Sequence, residues 1–157
     1  MHVRIILFVL LISAAGPGCK KEERGAPDCE TISRKLFDTM RNNDFEKSEL
    51  LMPDKGTFRK VSELKGVMLE DVEQAYDAYT QNALSTFDAA HSFLQDWTNT
   101  KYLRSTIETA KVDELTTAAI TCKFDAAGKP CKFVCHATKY NSRWYYDGDI
   151  VWVAKAE

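Results

Sequence analysis

The sequence predicts an α+β domain in which N-terminal helices pack on a C-terminal, curved antiparallel β-meander. Two observations lead to this fold class. Between residues 29 and 97 apolar side chains recur every three or four positions, which is the spacing of one helix face. After Asn99 the chain changes to runs of alternating apolar and polar residues separated by turn-forming residues, which is typical of strands. The length of 157 residues, with 45% hydrophobic and 28% charged, fits one globular domain.

Two shorter helices are expected before the longest one. The first spans residues 29–43, with Thr31 or Asp28 available as its N-cap, and the second spans residues 44–51 and is stopped by Pro53. The apolar face of the first helix carries Ile32, Leu36, Phe37 and Met40.

The longest predicted element is one amphipathic helix over residues 68–97. Its apolar positions step by three or four throughout with no Gly or Pro, and 30 residues at 1.5 Å each give about 45 Å. Residues 56–64, between the second and third helices, fit either a first strand or a loop.

Four strands are expected after the helices, over residues 102–112, 116–124, 129–140 and 143–153. The last of these is expected to be bulged at Gly148.

The first 18 residues have the features of an export signal. Arg4 gives a positive start, and residues 5–15 form an apolar run that is shorter than the roughly 20 residues needed to span a bilayer. Gly16, Pro17 and Gly18 then lead to Cys19, and the pattern resembles the signals of bacterial lipoproteins.

That resemblance implies that Cys19 becomes the lipidated N-terminus and carries fatty acyl chains such as palmitate. Lys20, where an Asp would retain the protein in the inner membrane, implies an outer-membrane location facing the periplasm. Gly16 stands where Leu is commonest, so the alternative is ordinary signal cleavage that leaves a soluble periplasmic protein. Residues 19–28, charged and then Gly- and Pro-containing, are expected to form a flexible tether to a domain over residues 29–157.

Four further cysteines in an exported domain predict disulfides. If residues 125–128 form a four-residue hairpin loop, Cys122 lies directly opposite Cys131. Cys131 and Cys135 are about 13 Å apart on one strand and cannot pair, so the expected pairs are Cys122–Cys131 and Cys29–Cys135. A register slip would join Cys122 to Cys135 instead.

A zinc site built from Cys122, Cys131, Cys135 and His136 is the rival to these disulfides. Adjacent strand residues such as Cys135 and His136 point to opposite faces, which argues against a shared metal ion. We therefore expect no metal and no cofactor. With 23 acidic and 21 basic residues and a net charge of −2, we do not expect nucleic acid as a partner either.

The order of the predicted elements resembles the nuclear-transport-factor-2-like superfamily, a cystatin-like α+β cone. The resemblance rests on the helical segment TISRKLFDTMRNNDFEK, the long third helix, and the final segment RWYYDGDIVWV with Trp144, Tyr145 and Tyr146. It implies helices that wrap one face of a bent sheet. Some members are isomerases or dehydratases with an Asp, His or Tyr deep in the cone, so the resemblance permits an enzyme without requiring one.

Few residues indicate catalysis or metal binding. His91 lies at the edge of the apolar face of the long helix, and alternation places His136 on the outer face of its strand. Asp147-Gly148-Asp149 is expected to be a turn or bulge rather than a metal loop. Several aromatic residues can line a cavity, although they can also simply fill the core. The candidate pocket residues are His91, Tyr76, Tyr79, Trp144, Tyr146 and Trp152.

The sequence thus favours a non-enzymatic envelope lipoprotein that is anchored in the lipid bilayer through Cys19 and binds an envelope protein or a small apolar ligand. One alternative is a cone-pocket enzyme that uses His91 or a buried acid. The other is a periplasmic inhibitor or immunity protein, suggested by the acidic positions of the long helix.

Overall fold

Four helices precede the sheet in the computed structural model of the chain, which describes residues 23–153. The helices are α1 (Cys29–Asn42), α2 (Phe45–Glu49), α3 (Lys55–Leu64) and α4 (Val72–Ser92). The strands are β1 (Thr100–Val112), β2 (Leu115–Ala126), β3 (Lys129–Tyr140), β4 (Arg143–Tyr146) and β5 (Val151–Trp152). The predicted α+β class is confirmed. The predicted leader over residues 1–18, Cys19 and Lys20 lie outside the described residues.

Each helix begins at an aspartate. The carboxylates of Asp28, Asp44, Asp54 and Asp71 each accept a hydrogen bond from the backbone N–H three residues further on. These bonds satisfy donors that have no partner inside the helix. The first two predicted helices are confirmed to within two residues at each end.

The structure corrects two helix predictions. Residues 55–64 form helix α3 rather than a strand or a loop, because Asp54 caps the segment through Thr57 N–H at 2.8 Å. The long amphipathic helix is shorter than predicted, with 21 residues and a length of about 32 Å. Beyond Ser92 the chain turns back, and Trp97 Nε1 donates to the carbonyl of His91 at 2.8 Å. This bond brings the Trp97 ring into the core.

The five strands form one antiparallel sheet in the order β1-β2-β3-β4, and β5 also pairs with β3. The last predicted strand is therefore two strands, both paired with β3 and separated by residues 147–150. Gly148 lies in this break with φ +83°, and a Cβ there would lie 3.0 Å from the Cβ of Ala83. Only glycine meets both conditions without strain.

The register of the β2–β3 hairpin differs from the prediction. The turn holds two residues, Ala127 and Gly128, both with positive φ, and the strands continue to the pair Ala126–Lys129. Every partner on β3 is consequently displaced by two residues, so Cys122 lies opposite Phe133. A two-residue shift preserves the face on which each side chain lies, which is why the predicted core faces of both strands are confirmed.

The hydrophobic core lies between the helices and one face of the sheet. Phe37 of α1 is central, with its ring centroid 5.4 Å from that of Phe124 on β2 and 6.3 Å from that of Trp97. Helix α1 is thereby attached to the middle of the sheet.

Residues 23–28 lie against the domain, which corrects the described part of the predicted tether. Ala26 is buried and exchanges two backbone hydrogen bonds with Trp144, at 2.8 and 2.9 Å. Gly25 N–H donates to the Leu50 carbonyl at 2.8 Å, and the Arg143 guanidinium donates to the Arg24 carbonyl at the same distance. Gly25 and Ala26 are buried and hydrogen-bonded to the domain, so this part of the segment is not a free linker.

No helix within residues 23–153 combines the length and the apolar character required to cross a bilayer.

Candidate functional site

A groove of about 640 Å³ opens beside the β2–β3 turn. This volume lies in the range of small-molecule sites, roughly 300–1,000 Å³. Its lining combines apolar and basic side chains: Phe93, Leu103, Arg104, Lys123, Phe124, Lys129, Pro130, Cys131, Lys132, Trp152 and Val153. None of these described lining residues is acidic.

A pair of stacked aromatic rings forms one wall of the groove. Phe93, the first residue after α4, lies with its ring centroid 4.4 Å from that of Trp152 and nearly parallel to it. The indole of Trp152 is fixed, because its Nε1 donates to the Ala90 carbonyl at 2.9 Å and its ring contacts Phe124 edge-on at 5.6 Å. The wall is therefore already in place before any ligand arrives.

A β-bulge shapes the opposite side of the groove. The β1–β2 register shifts between Tyr102 and Arg104, so Leu103 is an extra residue with no partner on β2. Bulges change the direction of side chains at the edge of a sheet. Leu103 is 53% exposed, which leaves an apolar side chain in solvent beside the groove.

Three basic residues of the lining occupy facing positions on neighbouring strands. Arg104 on β1 lies opposite Lys123 on β2, and Lys123 lies opposite Lys132 on β3. None of the three forms an ion pair with a carboxylate of residues 23–153. Like charges at facing positions destabilise a sheet. We call Arg104, Lys123 and Lys132 the basic row.

A second polar group surrounds the break between β4 and β5. The N–H of His136 donates to Asp149 Oδ1 at 2.9 Å, and His136 Nδ1 contacts Asp149 Oδ2. The N–H of Asp147 donates to the His136 carbonyl at 2.9 Å. These contacts replace the ladder bonds that β3 lacks at this position. The outward position of His136 is confirmed. Asp147-Gly148-Asp149 was expected to be a turn or bulge and lies in the break between β4 and β5, with a bend at Gly148. The pairing of His136 with Asp149 was not expected.

Asp147 is a half-buried acid of this group. Thr138 Oγ1 donates to Asp147 Oδ2 at 2.9 Å, and Lys65 Nζ donates to the same Thr138 oxygen at 3.3 Å. Burial raises the pKa of Asp147, and the nearby charge of Lys65 opposes that rise. Within residues 23–153, no three His, Cys, Asp or Glu side chains converge as metal ligands. Asp147 is not among the residues that line the groove.

The predicted pocket residues of α4 and β4 do not line the groove and make other contacts. Tyr76 Oη donates to the Pro53 carbonyl and Tyr79 Oη donates to the Tyr146 carbonyl, both at 3.1 Å. Trp144 pairs with the N-terminal segment, and the ring of Tyr146 is fully buried. Trp152, on the other hand, does line the groove.

His91 lies outside the groove as well. Its ring stacks on that of Trp97, with centroids 5.7 Å apart and an interplanar angle of 10°. It is hydrogen-bonded to no Asp or Tyr side chain of the described residues. His91 therefore has none of the partners that an acid–base role in a closed pocket requires.

The cysteines of β2 and β3 share the core face, but no disulfide joins two described cysteines. Burial raises the pKa of Cys29 to about 11 and that of Cys122 to about 12, and it also raises the pKa of Cys135 well above its usual value. The predicted direct opposition of Cys122 and Cys131 is wrong. The two lie on a diagonal, where Cα atoms are about 7–8 Å apart and a disulfide would require backbone movement. The pairing of Cys29 with Cys135 stays a prediction.

Comparisons with protein-family models, curated proteins and solved structures find no significant match. The resemblances to bacterial lipoproteins and to the nuclear-transport-factor-2-like superfamily therefore stay predictions.

Proposed function

We propose that this protein is a non-enzymatic, lipid-anchored envelope protein whose domain binds a small ligand with an apolar part in the groove. The observation that carries this proposal is the preformed wall of Phe93 and Trp152. Phe93 is 60% exposed, and Leu103 leaves a second large apolar side chain in solvent beside it. Exposed apolar side chains that cluster around a cavity mark a binding site more often than scattered ones do.

The position of the groove is compatible with attachment to a membrane through Cys19. The N-terminal segment pairs with Trp144 of β4, which lies beside Lys139 at one end of β3. The groove lies beside Lys129, at the other end of the same strand. Ten residues of strand separate the two ends by about 33 Å. If the domain is anchored at its N-terminus, the groove lies away from the attachment point. A ligand can therefore reach the groove.

The alternatives receive less support. An enzyme that used a buried acid would rest on Asp147, which has Thr138 and Lys65 as neighbours but does not line the groove. The role of a periplasmic inhibitor rests only on the acidic side chains of α4. The binding proposal is preferred because the groove brings exposed apolar side chains together around a cavity of small-molecule size.

Binding is tested by titrating N-phenyl-1-naphthylamine, a neutral apolar fluorophore, into the full-length Cys19→Ser protein. We expect saturable binding to one site, and we expect Phe93→Ser to weaken it about tenfold, or about 1.4 kcal/mol. Met68→Ser is the matched control, because Met68 is 88% exposed in a loop and does not line the groove. Equal affinity of wild type and Phe93→Ser would show that the groove is not the site.

The lipid anchor is tested separately by metabolic labelling with an alkyne analogue of palmitate in a bacterial host. The wild-type protein should incorporate the label and the Cys19→Ser variant should not. Equal labelling of the two proteins would contradict lipidation at Cys19, and it would leave the binding proposal to be judged by its own titration.

A further inference from the structure

We propose that the ligand is a single-chain amphiphile with an acidic head group, of the fatty acid class, and that the basic row holds this head group. This inference rests on the proposed binding function. It adds the chemical class of the ligand and assigns Arg104, Lys123 and Lys132 as the residues that select it.

The lining of the groove carries an excess of positive charge. Four of its side chains are basic, namely Arg104, Lys123, Lys129 and Lys132, and none is acidic. The chain as a whole carries a net charge of −2, so this local excess of positive charge opposes the overall balance. A cavity lined by one sign of charge attracts ligands of the opposite sign.

The register of the strands brings the like charges of the basic row to facing positions. Lys123 faces a cation on both sides, Arg104 on β1 and Lys132 on β3. Salt bridges elsewhere in the described chain show that basic side chains readily find carboxylates, as Arg59 and Lys60 do with Glu63. The basic row has no such partner within residues 23–153. A bound anion would relieve the repulsion and form charge-assisted hydrogen bonds with the row.

The groove joins a charged part and an apolar part that lie on different faces of the sheet. Consecutive strand residues point to opposite faces, so Lys123 and Phe124 lie on different faces of β2. Because both line the groove, the groove lies at the rim of the sheet, where both faces are accessible. An alkyl chain can lie against Phe93 and Trp152 while its head group reaches the basic row. A ligand with only one of these two parts would leave half of the lining unused.

The experiment measures displacement of N-phenyl-1-naphthylamine from the full-length Cys19→Ser protein by three ligands of equal chain length. These are dodecanoate, dodecanol and dodecyltrimethylammonium, which carry negative, zero and positive charge. We expect dodecanoate to bind at least tenfold more tightly than dodecanol, and the cation to bind most weakly. The preference for dodecanoate should disappear near 1 M salt, where the Debye length is about 3 Å.

Lys123→Gln should weaken dodecanoate binding about tenfold and weaken dodecanol binding far less. Lys111→Gln is the matched control, since it makes the same charge change on β1 and does not line the groove. Equal affinity for the three ligands, or an equal loss for dodecanoate and dodecanol in Lys123→Gln, would overturn the assignment of the head group while the binding function stands. No binding of the fluorophore or of any chain would overturn the binding function itself.

Discussion

Lys123 lies between two other cations, opposite Arg104 on β1 and opposite Lys132 on β3. Its side chain is half-buried, and Gln retains the first two methylenes and a polar end while removing the charge. Lys123→Gln therefore removes two repulsive pairs from the ligand-free protein with little change in packing. We expect the substitution to raise the free energy of unfolding.

The size of this effect follows from the register. Facing side chains have Cβ atoms about 5 Å apart, and long side chains can separate their charged ends to about 8 Å. Two unit charges at about 8 Å in water repel each other by about 0.5 kcal/mol. Two such pairs give about 1 kcal/mol, which corresponds to about 3–4 °C in the melting temperature of a domain of this size.

The assay is urea unfolding followed by circular dichroism at low and high salt. At about 0.01 M salt the Debye length is about 30 Å and the gain should be nearly complete, whereas at about 1 M it should fall by more than half. Lys111→Gln, whose position faces Thr116, should change stability by less than about 0.5 kcal/mol. Loss of stability in Lys123→Gln, or a gain that persists unchanged at high salt, would refute the repulsion that we assign to the basic row.

Three further predictions concern the break between β4 and β5 and the thiols. Gly148→Ala should destabilise the domain by at least about 1–2 kcal/mol in urea unfolding. Alanine at φ +83° is strained, and its Cβ would lie 3.0 Å from that of Ala83. A loss of stability below about 0.5 kcal/mol would contradict this close approach. Burial raises the pKa of Asp147, so the folded protein binds this proton more tightly than the unfolded chain does, and the stabilisation is lost as the pH rises through the folded-state pKa. Asp147→Asn should accordingly gain stability relative to wild type at about pH 7 compared with about pH 3, and a pH-independent difference would show that Asp147 is not responsible. Non-reducing peptide mass spectrometry of the purified protein should find no link between Cys122 and Cys131, since the two lie on a diagonal of the hairpin. Recovery of that linked peptide would contradict this register.

The elements were largely predictable because their signals are local. Helix starts follow from single residues, as at Asp28 and Asp44, and the core faces of β2 and β3 follow from alternation. The hairpin register was not predictable from the sequence Asp-Ala-Ala-Gly. A two-residue turn and a four-residue loop place the same side chains in the core, so the hydrophobic pattern does not distinguish them.

The candidate site was predictable only in part. Trp152 was identified as a cavity residue from its aromatic character, whereas Phe93 was missed because it appeared to lie inside a longer helix. The basic row was missed because Arg104, Lys123 and Lys132 come from three strands and are separated by 28 residues of sequence. The one available signal was the concentration of lysines near the β2–β3 turn, and the erroneous register obscured it.

By itself, the sequence determined the class of the fold, the arrangement of helices before strands and the core faces of β2 and β3. Periodicity and capping act over a few residues, and the hydrophobic effect then fixes which face of each element is buried. The tertiary structure decided where α4 ends, which residues of β2 and β3 lie opposite each other, and that three cations from three strands line the same groove as Phe93 and Trp152. These features depend on contacts between elements that are distant in the sequence. Such contacts form only when the chain has folded.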